Sequence, residues 1–92
     1  MVEKIARKVF HINDQIQALV IERDQVTEEL EFHRHINDDA QRDAAVSGSR
    51  EERLEAGATK ADVKRFERRL RDIARDLEKL ERKRQALLAK LD

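Results

Sequence analysis

Apolar residues recur at alternating steps of three and four along the first half of the chain. With Val2 at heptad position a, the a and d positions of residues 2–30 carry eight aliphatic side chains and one arginine, Arg23. This spacing puts the apolar side chains on one face of a helix and is typical of a coiled-coil seam. From His33 onward the same frame holds polar and small residues, so the seam becomes thinner. The pattern predicts a first helix over about residues 2–46.

A second heptad pattern follows after an interruption. With Val63 at position a, residues 63–91 again carry eight apolar side chains and one arginine, Arg84, at a and d. Two stripes of equal length indicate two helices of similar length. We expect the second helix to cover about residues 60–91.

Both glycines of the chain lie between the two patterns, at Gly48 and Gly57. Either glycine can end a helix, and Ser49 and Thr59 are spaced to cap the helices that follow. An unbroken helix through the glycines would lose only about 1 kcal/mol at each. Of the two alternatives we favour the break, with a turn or short helix over about residues 47–59.

Two helices with apolar stripes bury them most directly by folding back on each other. Antiparallel packing sets an a position of one helix level with a d position of the other, and the register centred on Gly48 pairs residues whose numbers sum to 96. It also places Arg84 beside Ile12. The predicted fold is all-α, an antiparallel coiled-coil helical hairpin that forms one domain over residues 1–92. The predicted intramolecular seam consists of Ile5, Val9, Ile12, Ile16, Leu19, Val26, Leu30, Phe66, Leu70, Ile73, Leu77, Leu80, Leu87 and Leu91.

The composition agrees with long helices and excludes several classes of protein. Charged residues make up 43% of the chain, 20 basic and 20 acidic, while proline and cysteine are absent. The absence of cysteine therefore excludes a disulfide framework and a cysteine-based metal site. No run approaches the roughly 20 apolar residues of a membrane-spanning helix. The N-terminal residues are too charged for the apolar core of a signal peptide, so we expect a cytoplasmic protein without a membrane partner.

Three large apolar residues, Phe10, Ile21 and Phe32, lie outside the seam at steps of 11 residues. Eleven residues make about three helical turns, so the three side chains form a line on the outer side of the first helix. Single exposed apolar residues are common and need no explanation. The regular line instead favours a second interface, which buries the first helix against another copy or another protein. A small scaffold without disulfides often needs such association, and the favoured assembly is a dimer of four helices.

The two halves of the chain carry opposite charge. Residues 1–49 have a formal net charge of −4, and residues 50–92 have +4. A basic stretch in the second helix could contact nucleic-acid phosphates, although acidic residues interleave with it and the acidic first helix can neutralise it. The candidate nucleic-acid face consists of Lys64, Arg65, Arg68, Arg71 and Arg75.

The sequence gives little basis for catalysis. His33 and His35 lie two residues apart, so on a helix they point in different directions and cannot chelate one ion. No phosphate-binding glycine loop and no nucleophile motif is present. Carboxylates near the turn, including Asp38 and Asp39, could contribute to a Mg²⁺ site in a partner's active site, but a solvated helix face explains them more simply. We expect no catalytic residues, no metal, no cofactor and no small-molecule substrate.

A helical hairpin with acidic residues at its tip resembles the coiled-coil domain of bacterial transcript cleavage factors. In that family the tip carboxylates enter the secondary channel of RNA polymerase, and Asp38 and Asp39 are the candidates here. The hairpin is also similar to the small helical secretion substrates that carry Trp-x-Gly at the turn, where this chain has Val46-Ser47-Gly48. Both resemblances concern the fold.

The sequence therefore favours a non-enzymatic protein–protein interaction or scaffolding module. It would self-associate as a homodimer through the outer face of the first helix, or bind another protein through that face. The alternative is a regulator that binds nucleic acid, or a nucleic-acid enzyme such as RNA polymerase, through the basic second helix or the acidic tip.

Overall fold

The structure, a computed structural model, describes residues 1–91 and places them in two helices joined by a tight turn. Helix α1 spans Val2–Ser47 and α2 spans Arg50–Ala89. The predicted all-α antiparallel hairpin is confirmed, whereas the last residue of the predicted domain, residue 92, lies outside the described residues. Over residues 1–91, neither helix contains a stretch long and apolar enough to span a membrane.

The turn lies at the glycine that the heptad register predicts. Gly48 has a φ of 64°, the left-handed conformation that ends many helices, and its N–H donates to the carbonyl of Ala44 at 2.9 Å. Ser49 then caps α2, because its Oγ accepts the N–H of Glu52 at 3.2 Å. The N–H of Ser49 donates to Ser47 Oγ at 3.2 Å. These short-range bonds satisfy backbone groups that the two helix ends leave without partners.

The second predicted break, around Gly57, is not found. Helix α2 starts at Arg50 rather than near residue 60 and continues through Gly57, which has no positive φ. Thr59 does not cap a new helix, since its hydroxyl shares its one proton between the carbonyl of Ala56, at 3.1 Å, and Asn37 Oδ1, at 3.0 Å. The structure buries Ala56 to 5% exposure, and such packing offsets the roughly 1 kcal/mol that glycine costs inside a helix.

The described residues form two compact units, and both helices contribute to each. The first, which we call the terminal unit, consists of Met1–Asp24 together with residues 71–91. Its core contains Val9, Ile12 and the fully buried Ile73. Arg84 Nη1 donates to Asn13 Oδ1 at 2.8 Å, next to the predicted partner Ile12. Six further residues of the predicted seam are half-buried in this unit: Ile5, Ile16, Leu19, Leu77, Leu80 and Leu87.

The second unit, the turn unit, spans Gln25–Leu70. Leu30, Ala40 and Ala56 are buried in it. Thr59 Oγ1 donates to Asn37 Oδ1 at 3.0 Å, and their residue numbers sum to the predicted 96. Four apolar residues at a and d positions of the two heptad patterns are half-buried in this unit: Val26, Val63, Phe66 and Leu70.

One residue of the predicted seam departs from the pattern. Leu91 is 42% exposed, although the heptad frame assigns it to the seam. Helix α2 ends at Ala89, and the N–H groups of Lys90 and Leu91 then bond to carbonyls three residues back, at Leu87 and Leu88. This tighter winding changes the direction of the side chains, so the heptad frame no longer applies beyond the helix end.

Candidate interaction surfaces

The three outer apolar residues of α1 are exposed, as their spacing requires. In the terminal unit Phe10 is 64% and Ile21 is 51% exposed, and in the turn unit Phe32 is 63% exposed. Large apolar side chains left in water retain most of their hydrophobic free energy for a binding partner.

Phe32 belongs to a short series of stacked rings. The Phe32 ring meets the His33 ring edge-on, with 5.7 Å between the ring centroids. The His33 ring lies 4.7 Å from that of Phe66, which is half-buried in the seam. This series holds Phe32 against a fixed neighbour, so the exposed ring is partly preorganised.

An acidic surface surrounds Phe32. A shallow groove of about 530 Å³ in the turn unit is lined by Phe32 and His33 together with Gln25, Glu28 and Glu29. Glu29 Oε2 lies 3.8 Å from His33 Nε2, and the Glu29 side chain is 60% exposed. The groove thus combines an apolar ring with carboxylates that solvent can reach, and we call it the acidic groove.

A second groove was not expected from the sequence. It lies in the terminal unit, has a volume of about 930 Å³ and contains no acidic residue in its lining. Its floor is apolar, formed by Ile12, Ala86 and Leu87, and we call it the basic groove. The polar residues of its lining are Lys4, Arg7, Lys8, His11, Gln15 and Lys83.

A sequence signal for the basic groove existed. Lys4, Arg7, Lys8 and His11 follow steps of three, one and three, which is the spacing of one helix face. The net negative charge of residues 1–49 conceals this local excess of positive charge. Lys83 joins the face only through the hairpin register, so the complete groove could be predicted only after the two helices had been aligned.

The candidate nucleic-acid face is partly neutralised within α2. Arg65 Nη2 lies 3.4 Å from Asp62 Oδ1, and Arg75 lies 3.5 Å from carboxylate oxygens of both Asp72 and Asp76. The other members of the face are exposed, and no ion pair joins them to another residue in the range 1–91: Lys64, Arg68 and Arg71.

The acidic residues near the turn lie on the surface of the turn unit. Asp38, Asp39 and Asp43 are exposed, and Asp39 Oδ1 lies 3.7 Å from the Arg42 guanidinium. Over residues 1–91 no group of three or more histidine or carboxylate side chains is arranged to hold a metal ion.

Sequence reasoning also missed two exposed apolar residues beside the turn. In the turn unit Val46 is 85% and Leu54 is 62% exposed. Neither belongs to the line of residues on α1 spaced by 11, and single exposed apolar side chains of this kind are common.

Comparison with protein-family models, curated proteins and solved structures finds no match to this chain. The function proposed below therefore depends on the surfaces of the hairpin.

Proposed function

We propose that the protein is a non-enzymatic interaction module of the cytoplasm that self-associates through the outer face of α1, giving a dimeric assembly of four helices. The observation that carries this proposal is the exposure of Phe10, Ile21 and Phe32, each more than half open to water. Along a continuous helix, steps of 11 residues return to nearly the same side. Phe10 and Ile21 lie in the terminal unit and Phe32 lies in the turn unit, so each unit offers exposed apolar side chains to a partner.

The free energy available from such a contact is substantial. Complete burial of a phenylalanine or isoleucine side chain contributes about 1.5–3 kcal/mol. Three such residues can offset a large part of the cost of association, which includes the loss of translational and rotational freedom. Exposed apolar side chains on a helix face are a common feature of interfaces that bury one helix against another.

The thin interior of the hairpin supports association as well. Six apolar residues among those described are buried, and only Ile73 is fully buried. Small scaffolds without disulfides gain stability when they oligomerise, because their own core supplies only a few kcal/mol. A four-helix assembly would add apolar area buried on the outer face of α1 to this thin interior.

Sedimentation equilibrium tests the proposal. The triple variant Phe10→Ser, Ile21→Ser, Phe32→Ser should sediment as a monomer at concentrations where the wild-type chain is a dimer. Leu54→Ser is the matched control, because Leu54 is equally exposed but lies on α2, and it should leave the mass unchanged. Unaltered association of the triple variant would contradict the proposal. Far-UV circular dichroism confirms that each variant is helical.

A nucleic-acid-binding regulator is the second candidate, favoured by one observation. Lys64, Arg68 and Arg71 are spaced by four and three residues on α2, are exposed, and form no ion pair with another described residue. Cations in this state can contact phosphates, and binding should then weaken steeply with salt. Titration of a short random DNA duplex at several NaCl concentrations distinguishes the two candidates. Tight binding that Lys64→Glu and Arg68→Glu together abolish would support the regulator.

A further inference from the structure

The basic groove of the terminal unit has an unusual distribution of charge. Lys4, Arg7, Lys8 and Lys83 surround an apolar floor, and no ion pair joins any of these four cations to another residue in the range 1–91. Two arginines elsewhere in the same unit form ion pairs instead. Arg82 pairs with Glu78, and Arg84 Nη2 lies 2.6 Å from Glu81 Oε1.

A cluster of like charges over an apolar floor matches a ligand of defined chemistry. Cations of one sign focus their field in a groove and attract negative charge. The lining residues Ala86 and Leu87, which are exposed and half-buried, offer apolar surface that an inorganic anion cannot cover. The groove volume of about 930 Å³ is within the range of grooves and pockets that receive organic groups. The complementary ligand therefore carries carboxylates beside an apolar or aromatic side chain.

The turn unit carries a surface of this composition. Phe32 is 63% exposed, and Glu28 and Glu29 line the same acidic groove. A ring flanked by carboxylates is complementary to an apolar floor flanked by cations, both in charge and in hydrophobicity.

We infer that the basic groove of one copy receives residues 28–32 of a second copy, with Phe32 against the apolar floor and Glu28 and Glu29 among the lysines. This inference rests on the self-association proposed above and identifies the surface that Phe32 contacts. A two-fold symmetric dimer repeats each contact, so the basic groove of the second copy receives residues 28–32 of the first.

Charge exchange between two variants tests this pairing. The groove variant carries Lys8→Glu and Lys83→Glu, and the acidic variant carries Glu28→Lys and Glu29→Lys. All four positions are exposed, so both variants should fold as wild type does. Each variant alone places like charges together and should self-associate about tenfold more weakly than wild type. An equimolar mixture of the two should restore association as a heterodimer, because the opposite charges then meet again.

A matched control separates local pairing from net charge. Arg50→Glu with Arg53→Glu makes the same change in net charge as the groove variant, at exposed positions of α2 outside the groove. Both positions lie in the first turn of α2, where acidic residues favour a helix. Self-association of this control should equal that of wild type. In addition, wild-type association should weaken as NaCl is raised, because ion pairs near solvent are screened.

The outcomes separate the pairing from the proposed function. Weakened single variants whose mixture associates like wild type support the pairing. If wild type dimerises and the groove and acidic variants dimerise equally well, the pairing is overturned and self-association stands. If mixing fails to restore association, the pairing is also overturned. A wild-type chain that remains monomeric at every concentration overturns both the pairing and self-association. If such a monomer binds DNA and the groove variant does not, the groove is a polyanion site instead.

Discussion

Thr59 Oγ1 donates a hydrogen bond of 3.0 Å to Asn37 Oδ1, joining α1 to α2 inside the turn unit. Both residues are half-buried and occupy seam positions that the heptad pattern fills with aliphatic side chains elsewhere. Asn37 Oδ1 also accepts from Gln41 Nε2 at 3.1 Å, and Gln41 Nε2 donates to the carbonyl of Ala56 at 3.0 Å. A slip by one heptad would leave these polar groups opposite the wrong partners, so the pair favours one register.

Replacement of Thr59 by valine should destabilise the hairpin by about 1 kcal/mol, because Asn37 loses a donor while remaining in the seam. Replacement of both residues, Asn37→Leu with Thr59→Val, should recover most of the loss or stabilise the fold, since no unpaired polar group remains. Urea unfolding of the wild type, both single variants and the double variant gives the coupling free energy. Strict additivity of the two single effects would indicate that the bond contributes nothing.

The two glycines should respond oppositely to alanine. Gly48→Ala places a Cβ at a φ of 64° and should cost about 1–2 kcal/mol. Gly57→Ala adds a methyl group in a helix interior, where the new Cβ has no atom within 4 Å apart from its chain neighbours and the backbone of its own helix, and should stabilise by about 1 kcal/mol. Thermal unfolding of the two variants checks both signs. A loss of stability in Gly57→Ala would mean that α2 is interrupted there after all.

Ile73→Ala should be among the most damaging single substitutions, because Ile73 is the one fully buried side chain in the described range. Removal of its outer carbons should cost about 2–5 kcal/mol, depending on how far the neighbouring side chains close the cavity. The control Leu54→Ala changes an aliphatic side chain that is 62% exposed and should cost far less. Similar losses in the two variants, measured by urea unfolding, would contradict the assignment of Ile73 to the core.

Ser49→Ala should lower stability by about 1 kcal/mol, because the N–H of Glu52 loses its acceptor at the start of α2. Ser49→Asp should retain that acceptor and add favourable charge near the positive end of the helix dipole. Urea unfolding of wild type and both variants measures these effects: the loss in Ser49→Ala gives the contribution of the cap, and Ser49→Asp adds that of the charge. Equal stability of Ser49→Ala and wild type would show that the cap does not contribute.

The helices, the turn and the pairing register could be predicted because each follows from spacing within the chain. The heptads identify Ile12 and Ile73 as seam residues, and the register that aligns the two stripes places its midpoint at Gly48. The continuation of α2 through Gly57 could not be predicted with the same rules. Helix propensity treats glycine as a break, whereas the burial of Ala56 depends on contacts between residues distant in sequence.

Of the surfaces, the line of apolar residues on α1 could be predicted, whereas the basic groove, built from both helices, could not. The exposure of Phe10, Ile21 and Phe32 follows from their position opposite the seam of α1. The basic groove combines Lys8 of α1 with Lys83 of α2, and their proximity becomes evident only when the register is known. Ion pairs such as that between Arg75 and Asp72 depend on rotamers, so the sequence could not show which cations remain without a partner.

Every surface described above depends on the chain folding back at Gly48 so that α1 and α2 lie antiparallel. Spin labels on Gln15→Cys and Lys79→Cys test this most directly, because both residues line one groove of the terminal unit and the chain has no cysteine of its own. With labelled protein diluted in unlabelled protein, the antiparallel pairing predicts a single short intramolecular distance, since packed helix axes lie about 8–10 Å apart. A distance of roughly 96 Å, which an uninterrupted helix would give at 1.5 Å per residue, would contradict it.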